Sequence, residues 1–259
     1  MPYSGFDITG KVCLVTGGTS GIGRAIALGL VQAGARVVAG SSSSGKVEAM
    51  KKELGEGHEV VQLDVASEAS VAAAVDRAVS RFGRIDASIN AAGVIKRQPS
   101  LEMPVEEFRR IVDINLVGTF IVAKAVGKLM KNQSPDAQGQ RGSIVNIASL
   151  NSFISLSEVL AYASSKSGVM GLTRGLANEW APLGIRVNGL APGIVPTELN
   201  RHLIEGTPRG NWLKQHTPLG RFAQAEEMVG AALYLISPSA SFVNGETIIV
   251  DGGFLARGV

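Results

Sequence analysis

The chain has very little cysteine and histidine. Cys13 is the one cysteine among 259 residues, so no disulfide can form within the chain. It stands in an apolar run, which predicts a buried, inert thiol and fits a reducing compartment. None of the three histidines has a second histidine, a cysteine or a carboxylate at a recognised metal-ligand spacing. We therefore expect no metal site and no zinc-based mechanism.

Long apolar runs and blocks of like charge are also missing. No run approaches the length that crosses a membrane, and residues 1–7 have neither the basic start nor the apolar stretch of a secretory signal. The formal net charge of +3 is spread along the chain, so it indicates no nucleic-acid or membrane partner. We expect a soluble, cytoplasmic protein whose partner is a small-molecule substrate.

Short β-rich apolar runs alternate with longer helical patterns along the whole chain, and 45% of the residues are hydrophobic. This alternation predicts one α/β domain over residues 1–259, with a doubly wound parallel sheet and helices on both faces. The predicted strands are 11–16, 35–39, 59–63, 85–90, 143–148, 185–190 and 246–250. The predicted helices are 21–33, 45–55, 67–82, 104–131, 158–181 and 225–237.

Residues 192–217 differ from the rest because they show no clean helical or strand period. Irregular segments of this length in a compact domain are often lids or binding loops. We therefore expect residues 194–217 to form a loop that covers the substrate.

A glycine-rich turn joins the first predicted strand to the first predicted helix. Glycines there allow a tight turn and a close approach of the backbone to a pyrophosphate at the positive end of the helix. No Gly-Lys-Ser/Thr follows, so ATP hydrolysis is disfavoured. The turn predicts a dinucleotide site, with a purely structural turn as the alternative. Its candidate cofactor-binding residues are Gly17, Thr19, Ser20, Gly21, Ile22 and Gly23.

Two further predicted strands end in polar or small residues at the edge where open α/β sheets bind ligands. Asp64 and Val65 follow the third strand, and the Asp64 carboxylate could accept a hydrogen bond from an adenine amino group. Asn90, Ala91 and Gly93 end the fourth strand, where small residues would leave room for adenosine. A loop cap and an ordinary turn are the alternatives for these two segments.

Tyr162 and Lys166 stand four residues apart in a predicted helix, so both side chains project from one face. A cation held near a phenol favours its ionised form, so the pair could act as an acid/base near neutral pH. The alternative for this spacing alone is a solvated lysine beside a half-buried tyrosine.

These motifs occur together, in order, along essentially the whole chain. They are Thr-Gly-x-x-x-Gly-x-Gly at 16–23, Asn-Ala-Ala-Gly at 90–93, Asn115, Ser149, Tyr162, Lys166 and Pro-Gly at 192–193. In this combination the chain resembles the short-chain dehydrogenase/reductase family. The resemblance implies a Rossmann-like sheet of strand order 3-2-1-4-5-6-7, a nicotinamide cofactor, no metal and a homotetramer.

The resemblance also implies roles for single residues. Tyr162 is similar to the family's general acid/base, and Ser149 to the serine that hydrogen-bonds the same substrate oxygen. Lys166 would lower the pKa of Tyr162 and bind the nicotinamide ribose, and Asn115 would hold a water in a proton relay. Taken alone, Ser149 also fits a cap, and Asn115 a residue that kinks or caps a helix. The loop that would seat the nicotinamide contains Pro192, Gly193, Ile194 and Thr197.

The preference between NAD and NADP is usually set at the end of the second strand. Ser41 stands where an aspartate would bind the free ribose hydroxyls of NAD, and Ser42 follows it. No carboxylate there repels a 2′-phosphate, and Lys46 is near, whereas Ser20 replaces a basic residue of many NADP-using relatives. We favour NADP over NAD, with a flexible serine-rich loop that reads neither cofactor as the alternative.

The segments after Lys166 and at the C-terminal end are most similar to sugar-acid members of the family, such as 2-deoxy-D-gluconate 3-dehydrogenase and gluconate 5-dehydrogenase. Lys96 and Arg97 could pair with a substrate carboxylate, or could be solvated surface cations. Asn151 could meet a substrate hydroxyl together with Ser149. The alternatives in function are a 3-oxoacyl-[acyl-carrier protein] reductase and a nicotinamide-sensing binding protein without catalysis.

Overall fold

The computed structural model describes residues 4–257. At its centre lies a seven-stranded parallel sheet in the order β3-β2-β1-β4-β5-β6-β7, which confirms the predicted Rossmann-like order. The strands are β1 (Val12–Thr16), β2 (Arg36–Ser41), β3 (Glu59–Gln62), β4 (Ala87–Asn90), β5 (Gly142–Ile147), β6 (Ile185–Pro192) and β7 (Thr247–Val250). Each lies within two residues of its predicted bounds.

The centre of the sheet is buried on both faces. All five residues of β1 are buried, and Cys13 pairs with Val37 on one side and Ala87 on the other. Successive strand residues point to opposite faces, so Cys13 joins one apolar cluster and Leu14 the other. Burial raises the pKa of the Cys13 thiol to about 12, which agrees with the predicted inert cysteine.

Helices cover both faces of the sheet, as predicted. Those on one face are α1 (Gly21–Gln32), α2 (Ser44–Leu54) and α9 (Val229–Ile236), and those on the other are α3 (Glu68–Phe82), α5 (Gly118–Met130) and α6 (Leu160–Trp180). The remaining α-helices of the described chain are α4 (Val105–Val112), α7 (Arg201–Ile204) and α8 (Pro208–His216). No helix within residues 4–257 is long and apolar enough to span a bilayer.

The predicted helix 104–131 is not a single α-helix. A wider π-turn, Asp113–Val117, separates α4 from α5, with helical backbone throughout. Apolar spacing cannot distinguish one inserted residue in a helix from a regular turn, so the pattern predicted one element. Such turns often mark functional sites, and this one contains the fully buried Asn115.

The segment 192–217 is also more regular than predicted. Pro192 ends β6, and two short helices, α7 and α8, lie between it and Thr217. Thr207 caps α8, because its Oγ1 accepts a hydrogen bond from the Gly210 amide at 3.0 Å, and Pro208 occupies the first helical position. The expectation of an irregular loop was wrong in this respect, since the apolar pattern of so short a helix is weak.

Candidate active site

A cleft at the carboxyl edge of the sheet lies beside the turn between β1 and α1. We call it the glycine cleft, and its volume is about 410 Å³. Ten of its lining residues were predicted to bind a cofactor: Gly17, Ser20, Gly21, Ile22, Gly23, Ala91, Gly93, Tyr162, Lys166 and Thr197. Five other lining residues were not among the predicted site residues: Lys46, Ala92, Ile147, Glu198 and Leu199.

Glycine is required in this turn by the close packing of backbone on backbone. A Cβ on Gly23 would lie 2.3 Å from the carbonyl oxygen of Gly17. Gly17 has a φ of +63°, and a Cβ there would lie 2.9 Å from the Ala92 backbone. The Thr16 Oγ1 accepts hydrogen bonds from the amides of Ala91 and Ala92 at 3.1 and 3.2 Å, which holds the loop after β4 against the turn.

The turn leaves polar groups available for an anion. Thr19 Oγ1 is buried and has no hydrogen-bond partner within the described chain. Ser20, the N-cap of α1, makes no side-chain bond to the helix amides. Buried polar groups are normally paired, and helix N-termini bind phosphate. The residues of this turn therefore fit the pyrophosphate of a dinucleotide.

A second cavity, of about 90 Å³, opens beside the end of β5. We call it the serine cavity; its lining residues are Ile95, Arg97, Ser149, Leu150, Asn151, Leu156, Val159, Tyr162, Gly193, Ile194, Asn200, Leu203, Ile204, Arg209 and Leu213. Tyr162 lines both this cavity and the glycine cleft. A phenol in this position can contact two different ligands at once.

Ser149 and Asn151 shape the inner wall of the serine cavity. Ser149 caps a short 3-10 helix, and its Oγ accepts a hydrogen bond from the Asn151 amide at 3.1 Å. The same hydroxyl meets the Tyr162 phenol, and this interaction partly offsets the rise in the pKa of Tyr162 that burial causes. Asn151 Oδ1 accepts from the Leu156 amide at 3.0 Å. Ser149 thus serves as a cap and also meets Tyr162, while the Asn151 side chain holds the loop that follows.

The expected effect of Lys166 on Tyr162 is not what the structure shows. Burial raises the pKa of Tyr162, and only the Ser149 bond opposes this. Lys166 Nζ lies 5.8 Å from the centroid of the Tyr162 ring and donates to the Ile147 carbonyl at 2.6 Å. Burial also lowers the pKa of Lys166 to about 8. Helical spacing placed the two side chains on one face, but desolvation outweighs their attraction.

Asn115 connects the π-turn to the loop after β4 and to α6. Its Oδ1 accepts from the Val94 amide at 2.8 Å, and its Nδ2 donates to the Val94 carbonyl at 2.9 Å and to Ser165 Oγ at 3.0 Å. A Cβ on Gly93 would lie 3.2 Å from Asn115 Oδ1 and 3.7 Å from Lys166 Nζ. Asn115 therefore fixes the wall of the cleft next to the lysine.

Asn90 was predicted to bind the cofactor, but its side chain turns into the core. Its Oδ1 accepts from Ser88 Oγ, and its Nδ2 donates to Asn146 Oδ1, both at 2.8 Å. Asn146 Nδ2 in turn donates to Thr173 Oγ1 at 3.0 Å. This buried chain of side chains ties β4, β5 and α6 together below the site.

The end of β3 lies outside the lining of the glycine cleft. Asp64 is exposed, and its Oδ1 accepts from the Ala66 amide at 3.0 Å, which is the loop-capping alternative. Val65 is buried, and a Cβ on Gly118 would lie 2.8 Å from its side chain. Neither residue touches the cleft in this structure.

The end of β2 carries no carboxylate. Ser41 Oγ accepts from the Ser43 amide at 3.2 Å, and Ser42 is exposed; neither lines the cleft. Lys46 does line it, and forms an ion pair with Glu198, which comes from the segment after β6. A salt bridge between distant segments thus crosses the wall of the cleft.

The predicted nicotinamide loop is divided between the two cavities. Pro192 ends β6, and the next residues, Gly193 and Ile194, line the serine cavity. Thr197 lines the glycine cleft instead, and a Cβ on Gly21 would lie 3.1 Å from its side chain. The loop therefore forms a wall shared by the two cavities, which is where a nicotinamide that reaches from the cleft toward the substrate would need to be held.

Two cations were predicted to meet a substrate carboxylate. Lys96 is exposed and does not line the serine cavity. Arg97 does line it, and is paired with Glu158. Arg209, which was not predicted as a site residue, lines the same cavity from α8. No local motif marks Arg209, because its neighbours in the site come from other parts of the chain.

Comparison with known proteins gives full-length matches. The sequence profile described as enoyl-(acyl carrier protein) reductase matches residues 17–255. D-threitol dehydrogenase of Mycolicibacterium smegmatis is 42% identical over 97% of this chain and 95% of that protein. A 2-dehydro-3-deoxy-D-gluconate 5-dehydrogenase of Formosa agariphila is 41% identical, with the same coverage of 97% and 95%. This chain is also similar to a gluconate 5-dehydrogenase from Burkholderia cenocepacia, whose crystal structure was determined in complex with NADP and tartrate. The TM-score is 0.89 at 37% sequence identity, and the match covers 98% of this chain and 99% of that chain.

Proposed function

The chain belongs to the short-chain dehydrogenase/reductase family, and on that premise we propose that it is an NAD(P)-dependent oxidoreductase. Its reaction is hydride transfer between a nicotinamide and a secondary alcohol or ketone of a sugar or sugar acid. The relatives named for a polyol and for sugar acids support this substrate class. The observation that carries the proposal is Tyr162, the residue common to the cofactor-sized glycine cleft and the serine cavity.

The chemistry divides between cofactor and protein. A bound nicotinamide supplies or accepts the hydride. The turn after β1 would hold the cofactor's phosphates, and Gly193 and Thr197 would form the wall beside its nicotinamide. Ser149 and Tyr162 aim two hydroxyls at the substrate oxygen, where negative charge develops during ketone reduction.

Tyr162 acts as the general acid in ketone reduction. Burial raises its pKa, so the phenol is protonated at neutral pH and has a proton to give to the forming alkoxide. Lys166 lines the cleft, and its Nζ would lie 3.7 Å from a Cβ on Gly93, another lining residue, so Lys166 would donate to a ribose hydroxyl from this side. Asn115 positions the strand end beside it through the two bonds to Val94.

NADP is the cofactor that this site favours. No acidic residue stands at the end of β2 to repel a 2′-phosphate, and Lys46 lines the adjoining cleft wall. The relative from Burkholderia cenocepacia, which binds NADP and the hydroxy acid tartrate, supports the same choice. Ser41, Ser42 and Asp64 would border the adenosine half, from just outside the cleft lining.

The lid and the assembly complete the proposal. One domain, residues 1–259, would hold both cofactor and substrate, and residues 194–217 would cover the substrate, since α7 and α8 contribute lining residues to the serine cavity. A cytoplasmic homotetramer is the proposed form. Exposed apolar side chains on α5 and β7 support association, with Phe120 40% and Ile249 42% exposed.

The replacement Tyr162→Phe tests the reaction. We expect kcat with NADP to fall by about 100- to 10,000-fold on a panel of sugar acids and polyols, as the loss of a positioned acid does, while cofactor affinity is kept. Tyr234→Phe on α9 is the control, because Tyr234 lines neither cavity. Nearly full activity in Tyr162→Phe contradicts the proposed role. Turnover of an acetoacetyl thioester alone contradicts the substrate class.

A further inference from the structure

Three charged side chains from distant parts of the chain meet in and beside the serine cavity. Arg97 follows β4, Glu158 precedes α6 and Arg209 lies in the first turn of α8. Arg97 forms an ion pair with Glu158, and Arg209 Nη2 donates to the Ser157 carbonyl at 3.2 Å. Both arginines line the cavity. One carboxylate therefore stands near two guanidinium groups, and among the described residues it is ion-paired with Arg97 and not with Arg209.

These charges lie at the mouth of the cavity. The Arg97 and Glu158 side chains are 38% and 32% exposed, whereas Ser149 is only 7% exposed. The hydroxyls that would meet the reacting oxygen thus lie deeper than the charges. A ligand that spans the cavity would place one end at Ser149 and the other between the arginines.

The electrostatic balance at the mouth is incomplete. Burial and the charge of Arg97 lower the pKa of Arg209, and Glu158 opposes them. Two cations and one anion leave one positive charge in excess. Like charges in a partly desolvated position repel each other more strongly than in water, so a second anion at this point would be stabilising.

The backbone of Glu158 is fixed beside Arg97. Glu158 has a φ of +66°, and it is the one non-glycine residue with a positive φ among residues 4–257. That conformation is strained for a side chain with a Cβ and persists only where the surroundings impose it. The Gln98 amide donates to the Glu158 carbonyl at 2.8 Å, which ties the two segments side by side. Arg97, the neighbour of Gln98, is thereby kept next to Glu158.

We propose that Arg97 and Arg209 together receive the carboxylate of a sugar-acid substrate, and that Glu158 occupies Arg97 as an internal carboxylate until the substrate displaces it. The inference rests on the proposed function, because it selects the substrate class of the same site. Guanidinium groups bind carboxylates through paired N–H bonds. A neutral polyol offers no group for this position, so the arginines select acids over polyols.

The test compares D-gluconate with D-glucitol, which carries a hydroxymethyl group in place of the carboxylate. Arg209→Gln is expected to weaken gluconate binding to the NADP-loaded protein by about 10- to 100-fold, the usual cost of a lost charge-assisted hydrogen bond. The loss should appear in KM rather than kcat, and glucitol should change by no more than about twofold. Arg209→Lys, which keeps the charge, should recover part of the gluconate affinity.

Two further variants complete the test. Glu158→Gln frees Arg97 and is expected to tighten gluconate binding. Arg201→Gln is the control: Arg201 lies on α7 and is paired with Glu205, and its side chain is 62% exposed and outside the cavity lining.

The outcomes separate the inference from the proposed function. Equal losses of gluconate and glucitol in Arg209→Gln, unchanged gluconate affinity, or a wild-type protein that binds glucitol and no sugar acid would each overturn the inference. Calorimetry on the NADPH-loaded protein measures that affinity without turnover, because a reduced nicotinamide cannot accept a hydride from gluconate. If gluconate binding depends on Arg209 but no sugar is oxidised or reduced, the inference holds and the proposed reaction fails.

Discussion

The two cavities that meet at Tyr162 are built in different ways. In the glycine cleft the turn at residues 17–23 is built from close backbone packing, since a Cβ on Gly23 would lie 2.3 Å from the Gly17 carbonyl oxygen. The serine cavity is formed by side chains from three distant segments, with Arg97, Glu158 and Arg209 at its mouth. Backbone geometry is intolerant of substitution but indifferent to the substrate, whereas the side chains determine which substrate enters.

This difference predicts that the cleft is the more fragile of the two. Gly23→Ala places a Cβ 2.3 Å from the Gly17 carbonyl oxygen and 3.3 Å from the Ala91 Cβ, and the Gly17 backbone has little room to move. We expect overpacking to lower the free energy of unfolding by about 1–3 kcal/mol, and NADP affinity to fall roughly 100-fold, about 2.7 kcal/mol. Thermal unfolding and a cofactor titration measure the two effects.

The matched control is Gly175→Ala in α6. Nothing lies within 4 Å of a Cβ at Gly175, so the alanine should leave NADP affinity unchanged and stabilise the helix by up to about 1 kcal/mol. Comparable losses of NADP affinity and of stability in the two variants would show that the turn is no more constrained than an exposed helix position. The contrast between a cavity built from backbone and one built from side chains would then not hold.

The same contrast explains what could be predicted from the sequence. The turn at 17–23 and the Tyr162/Lys166 pair are each short local patterns that can be recognised in the sequence, and the family resemblance implied that they meet; both line the glycine cleft. The strands were found because β-rich apolar runs of a buried parallel sheet stand out from helical patterns. The π-turn at Asp113–Val117 and the arrival of Arg209 at the mouth depend on tertiary contacts that no local pattern encodes.

The pKa of Tyr162 was predicted in the wrong direction for the same reason. Sequence spacing reveals that Lys166 is a neighbour, but it does not reveal how deeply both groups are buried. Lys166 is 4% exposed, and burial lowers its pKa to about 8 while it raises that of Tyr162. Desolvation acts on each group separately and, at this depth, outweighs their mutual attraction.

Lys166→Met should show this cost as a pH-dependent difference in stability. The pKa of Lys166 is about 8 in the folded protein, lowered from 10.5. Between these two pKa values the unfolded chain binds more protons than the folded protein, so the free energy of unfolding of wild type rises with pH across that window. Below pH 8 the folded protein bears the full cost of burying the Lys166 charge. At 1.36 kcal/mol per unit, wild type should gain roughly 3 kcal/mol relative to Lys166→Met between pH 7 and 10.5.

Urea unfolding at a series of pH values measures that difference, and titrating groups distant from Lys166 cancel because both proteins share them. The exposed Lys128→Met on α5 serves as the control and should show no such trend. A constant difference between wild type and Lys166→Met across the pH range would mean that the lysine charge is well solvated in the folded protein.

The smallest expected effect concerns an ion pair between α2 and the lid segment at the wall of the glycine cleft. Lys46 lines the cleft and pairs with Glu198, while Lys51 on the same helix pairs with Glu48 on the surface. Lys46→Gln should lower kcat/KM for NADP about tenfold, near the value of one charge-assisted bond, and leave NAD unchanged. Lys51→Gln should alter neither cofactor. If Lys46→Gln weakens the binding of both cofactors equally, Lys46 does not recognise the 2′-phosphate. Its role is then to hold the lid segment against the cleft through Glu198, and the cleft, like the serine cavity, depends on contacts between side chains of distant segments.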